Sequence, residues 1–117
     1  MTDKEINLAI ATHLGWTIFA QDPNGIIKSW KSPDGEIWPD VYAPLNFTEN
    51  LNHMLRIETE LPGSYYFLWI DNLCLITNGP LAESDGSYNE VSKMLLATPR
   101  QRAEAYLRTV GKWTDSE

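Results

Sequence analysis

Apolar residues recur every three or four positions near both ends of the chain, a spacing typical of amphipathic helices. In residues 2–14, Thr2 and Glu5 have the spacing of a capping box that starts a helix, and Gly15 marks the helix end. The first segment is therefore predicted to be a helix that packs one face against a core. That face comprises Ile6, Ala9, Ile10 and Leu14.

Residues 97–113 form the second segment and carry the strongest helix signals. Thr98 and Gln101 match a capping box, and Pro99 fits the first helical position, where a backbone N–H is not needed. Gly111 supplies the stop. The predicted buried face comprises Ala103, Leu107 and Val110.

Three short runs after the first helix predict strands, because turn residues bound them. The runs lie near residues 16–21, 26–31 and 36–38. The tetrapeptides between them, 22–25 and 32–35, both have proline second and glycine fourth, as in a β-turn. We expect a three-stranded antiparallel meander.

The centre of the chain predicts a helix over residues 48–61, with four apolar residues available for packing: Leu51, Met54, Leu55 and Leu61. The aromatic-rich run 64–70 predicts a strand, and a turn at 71–72 leads to another strand at 73–77. Residues 88–97 fit a strand or a short helix, and periodicity does not decide between them.

These elements predict a single α+β domain over residues 1–117, with helices covering an antiparallel sheet. The predicted order is α-βββ-α-ββ(β)-α. A chain of this length can bury one ordinary core.

The formal charge of −7 argues against binding to a nucleic acid polymer, which requires a broad basic face. We find no signal peptide and no run long enough to span a membrane, so no membrane association is expected. Cys74 is the single cysteine, which excludes an intrachain disulfide and favours a reducing cytosol.

Sequence motifs of enzymes are absent: there is no glycine-rich phosphate loop, nucleophile elbow or metal-binding repeat. His13 and His53 each lie on a predicted helix, where a half-buried or solvated histidine is the ordinary case. We therefore expect no catalytic activity, no cofactor and no bound metal.

Four of the nine basic residues lie in the C-terminal segment: Arg100, Arg102, Arg108 and Lys112. The ordinary interpretation is structural, because cations near a helix C-terminus stabilise its dipole by about 0.3–1 kcal/mol and Glu104 can pair four residues away. The alternative is an anion site at Arg108 and Lys112, because arginine beside lysine suits a phosphate.

Five tryptophans and five tyrosines exceed what one core of this size requires, and several lie at element edges. Large rings ordinarily cap the core of a thin sheet. The functional alternative is a platform on which a nucleotide base stacks, worth about 1–3 kcal/mol per ring. The rings at such edges are Trp16, Trp30, Trp38, Tyr42 and Tyr88.

Three segments resemble the phage ABA-sandwich domain family. Residues 2–16, TDKEINLAIATHLGW, are similar to its opening helix and Gly-Trp ending. Residues 44–54, PLNFTENLNHM, resemble its pattern of proline, an aromatic, Asp or Asn, Leu-Asn and Met. Residues 97–113, ATPRQRAEAYLRTVGKW, are similar to its most characteristic stretch. The segments follow the family's order and cover about a third of the chain, whereas residues 62–92 carry no family pattern.

The resemblance implies a function. Members include phage proteins of the first Thoeris anti-defence type, which are sponges. They bind a cyclic ADP-ribose isomer made by a bacterial TIR immune enzyme and sequester it uncleaved. Some members also hold cyclic oligonucleotides, and members assemble as dimers or hexamers. The same function would place this protein in the cytoplasm of the bacterial host.

The resemblance also implies site residues. Arg108 and Lys112 would contact the ligand phosphates, with Lys112 in place of an arginine, which replaces a bidentate fork by a point charge. Trp16 suits the adenine face. Asn89 and Arg56 are further candidates, placed by approximate position.

The main alternative is a small acidic phage accessory protein that inhibits a host protein by direct contact. The charge of −7 favours docking on a basic partner, and the basic C-terminal cluster disfavours it.

Overall fold

The computed structural model describes residues 1–79 and 88–114, and in the second range it describes side chains from residue 92 onward. These residues form five α-helices and three strands, which confirms an α+β fold. The elements are α1 (Asp3–His13), β1 (Thr17–Gln21), β2 (Ile27–Lys31), β3 (Ile37–Pro39), α2 (Leu51–Glu58), α3 (Tyr66–Asn78), α4 (Tyr88–Leu95) and α5 (Pro99–Thr109). Two 3₁₀ turns, Asp40–Tyr42 and Gly63–Tyr65, precede α2 and α3.

The two terminal helices begin where the sequence predicts. In α1 the Thr2 hydroxyl accepts from the Glu5 N–H at 3.2 Å, and the Glu5 carboxylate accepts from the Thr2 N–H at 2.9 Å. Thr98 and Gln101 make the same reciprocal pair in α5. Both predicted capping boxes are thus confirmed. They could be predicted because each depends on residues only three positions apart.

Helices α1, α2 and α5 enclose the main core. Its largest fully buried side chains include Ile6, Ile10, Phe47, Met54 and Leu107. Ala103 and Leu107 of α5 are buried as predicted, and Val110 is half-buried against the same cluster. The C-terminal helix is therefore a central packing element of the fold.

The predicted meander is confirmed as an antiparallel sheet in the order β1-β2-β3. Trp30 in the middle strand pairs with Ile18 on one side and Trp38 on the other. Gly25 and Gly35 have φ of 82° and 94°, the left-handed conformation in which glycine is unstrained. Trp30 is only 5% exposed and joins the sheet to the helical core.

The strands predicted at 64–70 and 73–77 are wrong, because α3 occupies most of this region as one helix. Leu73 and Cys74 are both buried, which a helix packed on α5 allows and the alternation of a strand does not. The predicted turn at 71–72 lies inside the helix, where the Asn72 side-chain amide donates to the Thr109 hydroxyl at 3.2 Å. Packing on α5 outweighs the strand preference of the aromatic residues.

Two other predictions are corrected in detail. The helix predicted over 48–61 is shorter, because the Asn50 side chain caps it and α2 runs from Leu51 to Glu58. Leu51 and Leu55 are each 41% exposed, whereas Met54 is buried as predicted, Leu61 is half-buried against the core, and Ile57 completes the buried face. The undecided stretch 88–97 contains helix α4.

Candidate functional site

Arg108 lies in the last turn of α5, where the neighbouring side chains hold its guanidinium. The Arg108 Nε donates to the Glu104 carboxylate at 3.1 Å, four residues earlier on the helix. The guanidinium carbon also lies 5.0 Å from the centre of the Trp113 ring, within cation–π range. Its side chain remains 39% exposed, so the group is both oriented and accessible to solvent.

Lys112 follows the end of the same helix. Gly111 has φ of 76°, and the Lys112 N–H donates to the Leu107 carbonyl at 2.8 Å, which closes the helix terminus. The helix therefore does not continue past Gly111, and Arg108 and Lys112 flank its end. Lys112 is exposed.

The C-terminal ends of α1 and α5 meet at this point. The His13 and Tyr106 rings are in edge contact, with centroids 6.0 Å apart. Burial lowers the pKa of His13, and the positive charge of Lys112 lowers it further. Lys112 therefore lies within electrostatic range of His13, the last residue of α1. Trp16 follows His13 by three positions.

Trp16 and Arg56, the second pair of candidates, line one cavity of about 370 Å³. The Trp16 N–H donates to the Ala11 carbonyl at 3.0 Å, which fixes the residue against the end of α1. Its ring meets the Trp38 ring edge-on, with centroids 6.3 Å apart. Both indoles are half-buried. We call this space the Trp16 cavity.

The charge around the Trp16 cavity does not suit a phosphate. Three carboxylates line it together with the Arg56 guanidinium: Asp34, Glu36 and Glu60. A hydrogen bond from the Ser32 hydroxyl and, to a lesser extent, one from the Glu36 N–H lower the pKa of Asp34, so its negative charge persists to lower pH than usual. The cavity is better suited to an aromatic or amine-bearing group than to an anion.

The structure separates the candidate residues into two groups. Arg108 and Lys112 flank the end of α5 and are not among the residues that line the Trp16 cavity. Trp16 and Arg56 share that cavity. Asn89 lies in α4, and its side chain is outside the described residues.

The remaining two cations of the C-terminal cluster have structural roles that sequence reasoning missed. Arg100 pairs with Asp3 at 2.8 Å and donates to the Met1 carbonyl at 2.9 Å, which ties α5 to the N-terminus. Arg102 is buried, and its guanidinium donates to both Glu58 carboxylate oxygens at 3.3 and 3.2 Å. Arg100 and Arg102 are therefore structural, and the predicted pairing of Glu104 with a cation four residues away is confirmed at Arg108.

Glu58 and Arg102 form a nearly dry ion pair, with side chains 5% and 11% exposed. Burial raises the pKa of Glu58, and the adjacent Arg102 charge opposes that rise without cancelling it. The Trp69 indole also lowers this pKa, but its N–H makes no hydrogen bond of normal length within the described part of the chain.

Comparison of the chain with family models, with curated proteins and with solved structures finds no match. The class is therefore defined by the molecule itself: an α+β domain with an aromatic cavity and, at the end of α5, an exposed pair of cations. None of the described helices is both long and apolar enough to cross a membrane. Within the same residues, no group of three or more His, Cys, Asp or Glu side chains is arranged to hold a metal ion.

Proposed function

We propose that this protein is a phage anti-defence sponge that binds a cyclic ADP-ribose isomer and sequesters it without cleavage. The observation that carries the proposal is the pair Arg108 and Lys112 at the end of α5. It lies in the segment that best resembles the sponge family. Glu104 and Trp113 hold the Arg108 guanidinium in place, so less side-chain entropy is lost when a phosphate binds.

The ligand phosphates lie against these two cations. A pyrophosphate accepts charge-assisted hydrogen bonds from a guanidinium and an ammonium. The exposed position of both side chains allows a ligand to approach from solvent. The net charge of −7 makes the remaining surface unfavourable for an anion, which confines it to this location.

The adenine occupies the Trp16 cavity. A ring face at Trp16 or Trp38 is available for stacking because the two indoles meet edge-on and do not cover each other. The carboxylates of that cavity can accept hydrogen bonds from an exocyclic amine. Arg56 and Asn89 remain secondary candidates for ligand contacts.

Capture without turnover needs affinity and no catalytic group. A sponge that depletes a scarce signal requires a Kd of about a nanomolar, near −12 kcal/mol. We further propose a layered ABA-sandwich arrangement, assembly as a dimer or hexamer, and residence in the bacterial cytoplasm. Cyclic oligonucleotides are a second possible class of ligand.

Exposed apolar side chains on α3 and at the end of α4 favour a second candidate function, inhibition of a host protein by direct contact. Phe67 of α3 is 77% exposed, and Leu95 and Leu96 at the end of α4 are 71% and 82% exposed. A surface of this kind marks interaction sites in soluble proteins. The same surface also suits self-association.

A release experiment tests the sponge directly. The protein is incubated with a cyclic ADP-ribose isomer, separated from free ligand, and heat-denatured, and mass spectrometry then identifies what is released. We expect intact isomer in stoichiometric amount. A hydrolysed or rearranged product would make the protein an enzyme, and recovery of no nucleotide would favour the protein-contact function.

A further inference from the structure

A second and larger cavity, of about 710 Å³, lies between α1, the start of β2 and the segment that leads into α2. Its volume falls within the range of small-molecule sites, about 300–1,000 Å³. His53 lines both this cavity and the Trp16 cavity. We call it the α1–β2 cavity.

Hydrogen bonds fix two walls of this cavity before any ligand binds. The Asn7 side-chain oxygen accepts from the backbone N–H groups of Phe47 and Thr48, at 2.8 and 3.2 Å. The Asp40 carboxylate accepts from the Trp30 indole N–H at 2.8 Å, and Trp30 is buried. Because these side chains are already held, a ligand meets a largely preformed surface.

The same walls retain polar atoms that can serve a ligand. Asp40 uses one carboxylate oxygen for Trp30, which leaves the other as an acceptor. His53 accepts the Asn46 N–H at its Nδ1, at 3.2 Å, so a neutral ring carries its proton on Nε2 as a donor. Asp40 and His53 both line the cavity, so it offers an acceptor and a donor to hydroxyl groups, which themselves donate and accept.

The apolar rim and the local charge narrow the ligand class. Ile26 and Val41 line the cavity and are 54% and 82% exposed, so they present aliphatic surface to a ligand's carbon skeleton. The cavity lining carries the positive charge of Lys4 and the negative charges of Asp40 and Glu49. Asp3 also lines the cavity, but its carboxylate pairs with Arg100. This balance does not favour a phosphate.

We propose that the α1–β2 cavity binds a neutral ligand with vicinal hydroxyl groups, either a saccharide or a nucleoside. The site does not use Arg108 or Lys112, the two cations that carry the sponge proposal. A ligand here would share His53 with the Trp16 cavity.

Saturation-transfer NMR tests the site with three probes. Maltose and adenosine are neutral and distinguish a saccharide from a nucleoside, and AMP is the negatively charged counterpart of adenosine. We expect one neutral probe to bind and AMP to bind more weakly than adenosine. Binding of neither neutral probe, or AMP binding at least as tightly as adenosine, would overturn the proposal.

Variants at the rim locate the binding. Val41→Trp places an indole across the mouth of the cavity, and we expect it to weaken the neutral probe at least tenfold. Val41→Thr keeps the shape of the side chain and serves as the matched control. Because Val41 is 82% exposed, both variants should melt like wild type.

Asp40→Asn keeps an oxygen for Trp30 and replaces the other acceptor by an amide donor, so it should also weaken the probe tenfold. Probe binding that Val41→Trp leaves unchanged would place the site elsewhere and contradict the proposal. Arg108→Ala should leave binding of the neutral probe unaffected. This result distinguishes a failure of the α1–β2 cavity proposal from a failure of the sponge function.

Discussion

At the scale of single residues, Arg102 is buried and joins α5 to α2 through an ion pair. Its partner Glu58 lies 44 positions away on another helix, and no local pattern connects them. The caps of α1 and α5 were predictable because Thr2–Glu5 and Thr98–Gln101 are local pairs. Arginine in a basic cluster predicts a surface role, and burial of Arg102 follows only from how α2 and α5 pack.

We predict that Arg102→Ala destabilises the fold by about 3–5 kcal/mol, because it leaves the Glu58 carboxylate buried without its partner. Denaturant unfolding at neutral pH measures the loss. The matched control is Arg100→Ala, which removes an exposed pair with Asp3 and should cost only about 0–1 kcal/mol. Equal losses for the two variants would show that the buried pair is no more important than the surface pair.

Glu58 also predicts a pH dependence. Its pKa in the folded state is raised by burial above the ordinary value of 4.5, so the folded protein holds the proton more tightly than the unfolded chain. The resulting stabilisation is complete below about pH 4.5 and declines as pH rises through the folded-state pKa.

Unfolding free energies measured from pH 4 upward, for wild type and Glu58→Gln, isolate this contribution. We expect wild type to lose stability relative to the variant as pH rises. Glu36→Gln, at an exposed carboxylate, is the control and should run parallel to wild type. A difference between wild type and Glu58→Gln that stays constant with pH would disprove the raised pKa.

At the scale of elements, the meander and the terminal helices were predictable and α3 was not. Proline–glycine turns bound the strands, and each terminal helix carries its own cap and stop. The run 64–77 is mostly apolar, with Asp71 and Asn72 in its middle, and it shows neither the alternation of a half-buried strand nor the single stripe of a surface helix. Its packing against α5 and α4 distinguishes the two structures.

Asn72→Pro tests this assignment. Inside α3, proline removes a backbone hydrogen bond and clashes with the preceding turn, so we predict a loss of about 3 kcal/mol or more. The control, Asn72→Ala, removes the hydrogen bond to Thr109 and should cost about 0.5–1.5 kcal/mol. If residues 71–72 were a hairpin turn, proline would be tolerated as well as alanine.

The candidate site was predictable only in part, because some of its residues are close in sequence and others meet only in the folded protein. The position of Arg108 and Lys112 at a helix end follows from the local stop at Gly111. The Trp16 cavity joins residues from the segment just after α1, from β3 and from α2, and its three carboxylates become neighbours of Arg56 only through tertiary packing. The α1–β2 cavity has no sequence signature.

At the scale of the whole molecule, the charge of −7 opposes self-association except through an uncharged surface. Helix α3 provides one, since Asp71 is the single charged residue in Tyr66–Asn78. Phe67 and Leu68 on this helix are 77% and 46% exposed. A helix that is apolar on all sides is ordinarily buried, which favours an α3 face covered by a second copy.

We therefore predict a homo-oligomer that Phe67→Ser weakens at least tenfold, because burying a phenylalanine contributes about 1.5–3 kcal/mol. Light scattering over a micromolar concentration series measures the change. The control is Phe19→Ser, at a 60% exposed position on the sheet, which should leave the mass unchanged. A wild-type monomer throughout the series would refute self-association.

Phosphate recognition by Arg108 at the end of α5 is tested most directly by calorimetry, which measures the affinity for cyclic ADP-ribose isomers. Wild type, Arg108→Ala and the control Arg100→Ala are titrated, and each is melted separately. Losing a hydrogen bond to a charged group costs about 1.5–3 kcal/mol, so Arg108→Ala should bind at least tenfold more weakly at a nearly unchanged Tm. Arg100→Ala should bind like wild type. Equal affinities for wild type and Arg108→Ala, or a much lower Tm for Arg108→Ala, would contradict the account.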